Sequence, residues 1–569
     1  MTAIRAAVAL WLLAAGGAPG LAQSPVPAVV ESFRASIPKL MAGKRIPGLA
    51  VAVTTDRELL WAEGFGVTAE GGSVPVTPET RFSAQSMSKN FTAAAVLAAV
   101  RDGLVGLDVP ITAYLPDFAV RSRFEDRPER KMTLRLLLSH RAGFTHEAPD
   151  GNNYDPGTGS FEGHVRSISR TWLRFPVGER YSYSNLGIDL AGYVLQVRSG
   201  LPFAEYVRRK VLAPAGLAAA SFDIEDIRRD ARRAVGHDPG RPSVAVEVPM
   251  LAAGGLYAGA SELARWVRMH LNEGRVGDAA ALPEALLAEM SSIAFAGPRQ
   301  THGYGLGLAV SRHGGAVLLN HGGGGYGFLT YMGWLPELEI GVVVLTNSSG
   351  HDIQTSLPLE ILDRFVEAGA GAKPLPPAPA AAPLPPEVLV PEADQRRLAG
   401  RYLYGRGGYM LVERRDGRIG AGSGQEFRPA RFVSRDEASI ESAGVPYFYR
   451  FVRGADGSPR RIVRAYDGEN LDYNDGPDDP PGPARPEWER FAGRYEYRAY
   501  GRPAGVVNVS LENGWLWLNR LTKLAEHLPG LFFTPNGEAL DFTGEVPTWR
   551  NIRLERPPAG DARPVPSPS

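Results

Sequence analysis

The period of hydrophobic and polar positions changes several times along the chain, and each change marks an element or a boundary. From Pro47, "PGLAVAVTTDRELLWAEGFGV" carries two apolar, β-prone runs separated by a polar turn, which predicts a hairpin. Far downstream, "GLGLAVSRHGGAVLLNHGGGGYGFLTYMGWLPELEIGVVVLTN" predicts several further strands with Gly, Pro and polar turns between them. The intervening chain reads as mostly helix and loop. "FTAAAVLAAV" is helical by propensity, whereas "NLGIDLAGYVLQVRSG" and "ELARWVRMHLNEG" space their apolar residues as a helix does. Gly103, Gly200 and Gly274 are the expected C-terminal stops.

After a last helical pattern, "LPLEILDRFVEA", the chain enters "GAGAKPLPPAPAAAPLPPEVLVPEA", whose dense Pro and Ala predict a semi-extended linker at 370–393. Beyond it the pattern becomes one of short strands rich in Tyr, Val and Phe. A weak repeat, "LAGRYLY" from Leu398 and "FAGRYEY" from Phe491, has a spacing of 93 residues, with the Pro-rich, acidic break "NDGPDDPPGPARPE" between the copies. Two small β-barrel lobes, 394–475 and 486–560, are expected, with one larger barrel built from two halves as the alternative.

Composition narrows the classes. A chain of 569 residues with 44% hydrophobic content supplies more than one packed core, which puts the first domain at 23–369. Basic and acidic residues balance at 62 each, so no net field draws the protein towards nucleic acid or an anionic membrane. Arg5, the apolar run Ala6–Ala15 and the small residues Gly20 and Ala22 resemble a secretory signal peptide cleaved after Ala22. The run falls short of the ~20 residues needed to cross a bilayer. Without cysteine there is no disulfide framework and no thiolate nucleophile. An exported protein, periplasmic or extracellular and without a stable membrane span, is expected.

The candidate chemistry centres on Ser86 and Lys89, an S-x-x-K pair that a helical turn brings onto one face. A second match, Ser36 to Lys39, contains Pro38 and opens no long apolar helix. Ser86, by contrast, precedes a helix apolar on nearly every face, so Lys89 projects from a buried element. Burial without a purpose costs several kcal/mol or forces an amine to lose its proton, and a neutral amine is what a base beside a serine requires. The chain has 55 arginines and seven lysines. Arginine cannot shed its proton at accessible pH, so a lysine at a buried position carries information.

Two further stretches join this pair. Tyr183-Ser184-Asn185 places a phenol in the loop before a helix and an amide at its start; the first can relay protons, the second can orient a lysine or bind a substrate amide. "LLNHGGGGYG" ends an apolar strand on His321, followed by Gly322, Gly323 and Gly324. Such glycines would let a substrate backbone lie against the strand edge and a backbone N–H face a developing oxyanion. His313-Gly314-Gly315 shows that the same pattern also serves a plain turn.

Taken together, Ser86-x-x-Lys89, Tyr183-x-Asn185 and His321-x-Gly323 resemble the three motifs of the serine β-lactamase and penicillin-binding-protein superfamily, most closely its class C β-lactamases, esterases and D-aminopeptidases. "IPGLAVAV", "GLVGLDVPITAYLPDF", "MTLRLLLSHRAGF", "GGLYAGASELARWVRMHLNEG" and "GYGLGL" add to the likeness, which covers about residues 30–365. The resemblance implies a mixed α/β (α+β) domain: an antiparallel sheet flanked by helices, with a mainly helical lobe holding the tyrosine motif. C-terminal β-barrels follow in the D-aminopeptidase-like members. It implies Ser86 as acylated nucleophile, Lys89 as its activating neighbour and Tyr183 as general base and acid. Asn185, His321, Gly322 and Gly323 would bind substrate. The backbone N–H groups of Ser86 and Gly324 would form the oxyanion hole, and no cofactor or metal would be needed. Which of Lys89 and Tyr183 takes the first proton stays open.

One position departs from the pattern. Enzymes specialised for β-lactams or peptide C-termini usually carry Lys-Thr-Gly in the third motif, where a fixed charge meets the substrate carboxylate. His321 stands there instead, with an expected charge that is partial and adjustable near neutral pH. The departure favours an esterase, amidase or D-aminopeptidase acting on a small-molecule or peptide substrate of cell-wall type, with slow β-lactam hydrolysis as a side activity. The rival expectation is a protein of the same fold that binds penicillin or peptidoglycan without turnover; retention of Ser86, Lys89, Tyr183 and Asn185 favours the enzyme. No G-x-S-x-G elbow, H-E-x-x-H or P-loop is present, and His146-Glu147 with Asp150 is a loop cluster lacking a second nearby His.

Overall fold

The computed structural model describes residues 25–154, 160–238, 249–371, 383–405, 408–423, 426–442, 445–483, 485–499 and 502–557. The expected signal peptide and part of the Pro/Ala-rich run, 372–382, lie outside the described residues.

Seven antiparallel strands form the first sheet, in the order Leu59–Gly66, Gly48–Thr55, Ile340–Thr346, Phe328–Leu335, Ala316–Gly325, Ala309–His313 and Gly303–Tyr304. The hairpin expected at Pro47 and the downstream strand block therefore meet, with Gly48–Thr55 paired to Ile340–Thr346 across nearly 300 residues. The two-residue period of the first strand explains how the sheet is covered. Leu49, Val51 and Val53 point into one core with the helices Val26–Lys44 and Ser356–Glu367. Ala50 and Ala52 point the other way, and their small side chains let the helix Ala260–Leu271 lie close against the sheet. Beyond that helix, Ser88–Arg101 runs through the middle of the larger core, buried from Ser88 to Ala99. Gly103 and Gly200 stand just past their helices in the left-handed region, at φ 68° each, as expected of C-terminal stops.

Two all-β units follow, each with its own core. Eight antiparallel strands from Gly400 to Asp475 close into a barrel. Eight more, from Gly493 to Arg553, form a meander whose ends meet through a bridge between Glu496 and Glu555. The weak repeat opens both units and extends to a hydrogen bond. Tyr402 donates to the Leu398 carbonyl and Tyr495 to that of Phe491, each at 2.8 Å, behind glycines at φ 153° and 149°. Val390, expected in the linker, is instead buried in the first barrel's core, and the Val388 N–H donates to Phe432 at 2.9 Å. Val390 alone of its short apolar run enters the core; Val388 and Leu389 stay exposed.

Candidate active site

The turn that carries Ser86 is built from both sides. Phe82–Ser83 pairs with Tyr257–Ala258, and the Ala84 N–H donates to the Leu256 carbonyl at 2.8 Å. Gln85 then adopts φ 51°, a left-handed conformation that costs a non-glycine residue about 1 kcal/mol or more and that persists where the surroundings enforce it. Gln85–Met87 forms one 3₁₀ turn leading into the helix Ser88–Arg101. Ser86 thus lies just before the α-helix rather than within it, half-buried, with Lys89 still three residues on. Gly323 explains how the sheet abuts this turn. A Cβ there would lie 2.2 Å from the Ala84 carbonyl oxygen and 2.4 Å from Thr330 Oγ1, so only glycine permits the approach. Its missing side chain therefore serves packing of the serine turn, in addition to the open strand edge expected from the sequence.

Lys89 is fully buried, yet all three of its ammonium protons are taken. Nζ donates to Ser86 Oγ at 2.9 Å, to Asn185 Oδ1 at 2.8 Å and to the Ala253 carbonyl at 3.0 Å. The amide and the peptide carbonyl are obligate acceptors. In the neutral amine those two bonds would use both N–H groups, leaving the lone pair directed at the Ser86 hydroxyl. The same geometry therefore holds the charged and the basic form. Asn185 is free for this because Ser184, rather than Asn185, caps its helix: the Ser184 side chain accepts from the Leu186 N–H. Behind the lysine's acceptor, Asp189 takes the Ala253 N–H at 3.0 Å and pairs with His164 at 3.2 Å, both side chains buried.

Tyr183 stands in the loop before that helix, with the Lys89 ammonium 5.0 Å from its ring centre. His140 packs against the ring at 4.4 Å and His146 stacks on it at 5.6 Å. His140 is held at φ 58°, and its Nδ1 accepts from the Ser184 N–H at 3.2 Å, so the neutral ring carries its proton on Nε2. Burial, with the nearby charge of Lys89, pushes His140 well below its ordinary value. His146 pairs through Nδ1 with the buried Glu147 carboxylate at 2.7 Å. Among the described residues no group of three or more His, Asp or Glu side chains could hold a metal ion. The loop cluster at His146 serves the tyrosine.

His321 ends the structured edge. Ala309–His313 pairs with Ala316–Asn320, so from His321 onward the strand is past the end of that partner and faces the cleft. The side chain itself turns inward. Nδ1 lies 2.7 Å from the Gly322 carbonyl and donates to it, so Nε2 accepts from the Tyr304 hydroxyl at 2.8 Å. Burial, reinforced by Lys89, pushes its pKa down to about 3. The expected partial, adjustable charge is therefore corrected: His321 is neutral at neutral pH, and the third motif supplies no cation. Gly324, in contrast, is exposed beside the cleft, where an oxyanion donor would have to be.

The cleft has a volume of about 1140 Å³ and runs from Tyr183, Tyr304 and the His321–Gly325 strand to both C-terminal units. The first barrel contributes Arg464 and Asp467 to Asn470, and the second Ala499 and Arg550. Sequence reasoning brought together Ser86, Lys89, Asn185, Tyr183 and His321. It missed Gln85, His140 and Tyr304, of which the last two lie in stretches used only as supporting likeness. Their signal was an aromatic or a histidine inside an otherwise apolar or glycine-rich run.

Comparisons with known proteins bear on the family and the fold. The profile of the family described as Beta-lactamase matches residues 33–363. Unguisins hydrolase ungD' of Aspergillus campestris is 27% identical over 344 residues, 57% of this chain and 62% of that protein, so the chain spans under two thirds of that relative. Penicillin-binding protein 4 of Amycolatopsis lactamdurans is 27% identical over 377 residues, 63% of this chain and 93% of that one. Among solved structures, that of SurE with D-Leu superposes with a TM-score of 0.55 at 26% identity, covering 79% of this chain and 100% of that chain. With the family profile matched over more than half its length and the sheet, helices and serine turn in place, the chain belongs to the beta-lactamase family.

Proposed function

We propose that the protein is an exported serine hydrolase that cleaves an ester or amide through an acyl-enzyme on Ser86, with amides and esters of D-amino acids as its preferred substrates. The observation that carries this reading is the Lys89 ammonium 2.9 Å from Ser86 Oγ, with its two remaining donors committed to Asn185 and Ala253. A lysine buried only for structure would not be aimed at a half-exposed hydroxyl. The Ser86 oxygen attacks the substrate carbonyl and forms the ester bond. The hydroxyl proton passes through Lys89 and Tyr183 to the leaving amine or alkoxide as its bond to the carbonyl breaks. Water then repeats the sequence, and the acid leaves as the serine regains its proton. The backbone N–H groups of Ser86 and Gly324 are the oxyanion donors in this scheme.

The neutrality of His321 supports substrates without a carboxylate next to the scissile bond. The likeness to a structure containing D-Leu supports the D-amino-acid class. A cleft of about 1140 Å³ is larger than a small ester needs and suits a short peptide. The test is a panel of p-nitrophenyl esters, D- and L-amino-acid p-nitroanilides, nitrocefin and a fluorescent penicillin, each given to the mature protein and to Ser86→Ala. Turnover of D-configured substrates above L-configured ones, absent in Ser86→Ala, is expected. Stoichiometric labelling without turnover would establish the binding protein instead.

A further inference from the structure

We propose that the two C-terminal units are part of the catalytic apparatus: each lends a buried carboxylate, Asp472 or Glu538, to an arginine of the loop that carries Tyr183, and Glu538 is a positioning residue for that tyrosine. The inference rests on the reading of Ser86, Lys89 and Tyr183 as the reacting groups.

The loop from Arg174 to Asn185 is zipped along 140–146. The Ser182 N–H donates to the His140 carbonyl at 2.7 Å, and the hydroxyls of Ser182 and Ser184 donate to the carbonyls of Phe144 and Thr145, each at 2.6 Å. Tyr183 sits between those two serines, so its position is that of the double segment. Both strips are then fastened to the second unit at one carboxylate. Thr145 Oγ1 donates to Glu538 Oε2 at 2.6 Å, while Oε1 makes ion-pair contacts of 3.2 Å with Arg174 and with Arg550. Arg174 in turn donates from Nη1 to Ser182 Oγ at 3.0 Å, one residue from Tyr183.

The turn that delivers Glu538 is shaped for this contact. The Asn536 carbonyl accepts from Arg174 Nε and Nη2 at 3.1 and 2.9 Å. Gly537, at φ 80°, lies so close that a Cβ would meet the Arg174 carbonyl oxygen at 2.2 Å. Asn551, from the same unit, donates to the Glu147 carbonyl at 2.7 Å. The first barrel acts at the other end of the loop. Asp472 accepts from Arg180 at 2.6 Å, and that guanidinium lies 3.7 Å from the Phe175 ring centre. Arg174, Arg180, Asp472 and Glu538 are all buried or nearly so, so each charge needs its partner to stay in place. Burial alone would raise the Glu538 carboxyl, but Arg174 and Arg550 outweigh it and hold the group below its ordinary value.

The test uses the full chain and a substrate that the panel above identifies. Glu538→Gln keeps the side-chain shape and removes the charge. It is expected to lower kcat about 10- to 100-fold with KM nearly unchanged, the scale of a small misplacement of a reacting group, and to move the pH profile of kcat/KM towards that of Tyr183→Phe. Thr145→Val removes one bond to the same carboxylate and is expected to act in the same direction, less strongly, in case Glu538→Gln does not fold. Glu437→Gln, which loosens the separate contact of the first barrel with Arg299 at 3.4 Å, serves as the docking control and is expected to leave both constants alone. Wild-type kcat in folded Glu538→Gln and Thr145→Val, or an equal loss in Glu437→Gln, would overturn the inference. Turnover that survives Ser86→Ala would instead overturn the catalytic reading beneath it.

Discussion

At the scale of single residues, the site depends on one amine whose hydrogen bonds suit either protonation state and one imidazole that burial keeps neutral. Lys89 keeps two hydrogen bonds to obligate acceptors in either protonation state. Arginine cannot lose its proton, so Lys89→Arg is expected to lower kcat/KM by about 100-fold or more, as steady-state kinetics on protein shown to be folded by circular dichroism would show. His321 is neutral above about pH 3. No limb of the pH–rate profile between pH 4 and 8 should therefore disappear in His321→Gln. His321→Lys would place a cation on the strand edge and should raise acylation by a penicillin, which bears a carboxylate, relative to an uncharged ester; fluorescent-penicillin labelling rates read this ratio. Ser86 with Lys89 and Tyr183 with Asn185 are each local pairs, but Asn185 meets Lys89 across 96 residues, and it was the likeness to a family's motifs that joined the two pairs. Tyr304 and His140 stand in no such motif, and their own partners lie 17 and 44 residues away.

Elements were legible from local period and propensity even where burial is two-sided, as in Gly48–Thr55 and Ser88–Arg101. "LAVAV" reads as a strand, and the structure adds that its large residues face a thick cover and its small ones a close helix. The glycine run after His321 was harder. Its composition indicates only that side chains are absent, whereas the structure supplies the reason at Gly323, which admits the serine turn. Gly323→Ala is expected to cost about 1–3 kcal/mol, the range for forcing extra atoms into a packed site. It should also impair turnover, because the displaced atoms are those of Ala84 and Gln85. Chemical denaturation and kinetics on the same sample test both. Gly324→Ala, where the nearest neighbour is a Leu329 methyl at 3.1 Å, should be milder on both counts.

For the whole molecule, the division into a beta-lactamase-like domain and β units was legible from the linker composition and the GRY repeat, but their union at the cleft was not. Arg174, Arg180, Asp472 and Glu538 are ordinary charges in the sequence, and nothing local marks them as partners across nearly 300 residues or more. Long-range ion pairs of this kind follow from tertiary geometry alone. Stability against pH also belongs to this scale. His140 and His321 are buried, His270 partly so, and all three have lowered pKa values, the last two at about 3. Their contribution is fully present above the unfolded value of about 6.5 and is lost as the pH falls towards 3. His164 has the opposite sign, because its pairing with Asp189, working against burial, raises it. With His237, His302 and His351 lowered as well, these groups outweigh His164 and predict a melting temperature that declines from about pH 6.5 downwards. In His270→Phe, which removes a partly buried imidazole remote from the site, that decline should be shallower. An unchanged slope would remove His270 from the account.

The most direct test of the central claim is the site of acylation. The protein is mixed with a slowly turned-over ester of a D-amino acid, quenched in acid and digested, and the adduct is located by mass spectrometry. A single acyl group on Ser86, absent in Ser86→Ala and formed far more slowly in Lys89→Arg, is the predicted result. An acyl group on another residue, or full turnover with no adduct and with Ser86→Ala active, would contradict it.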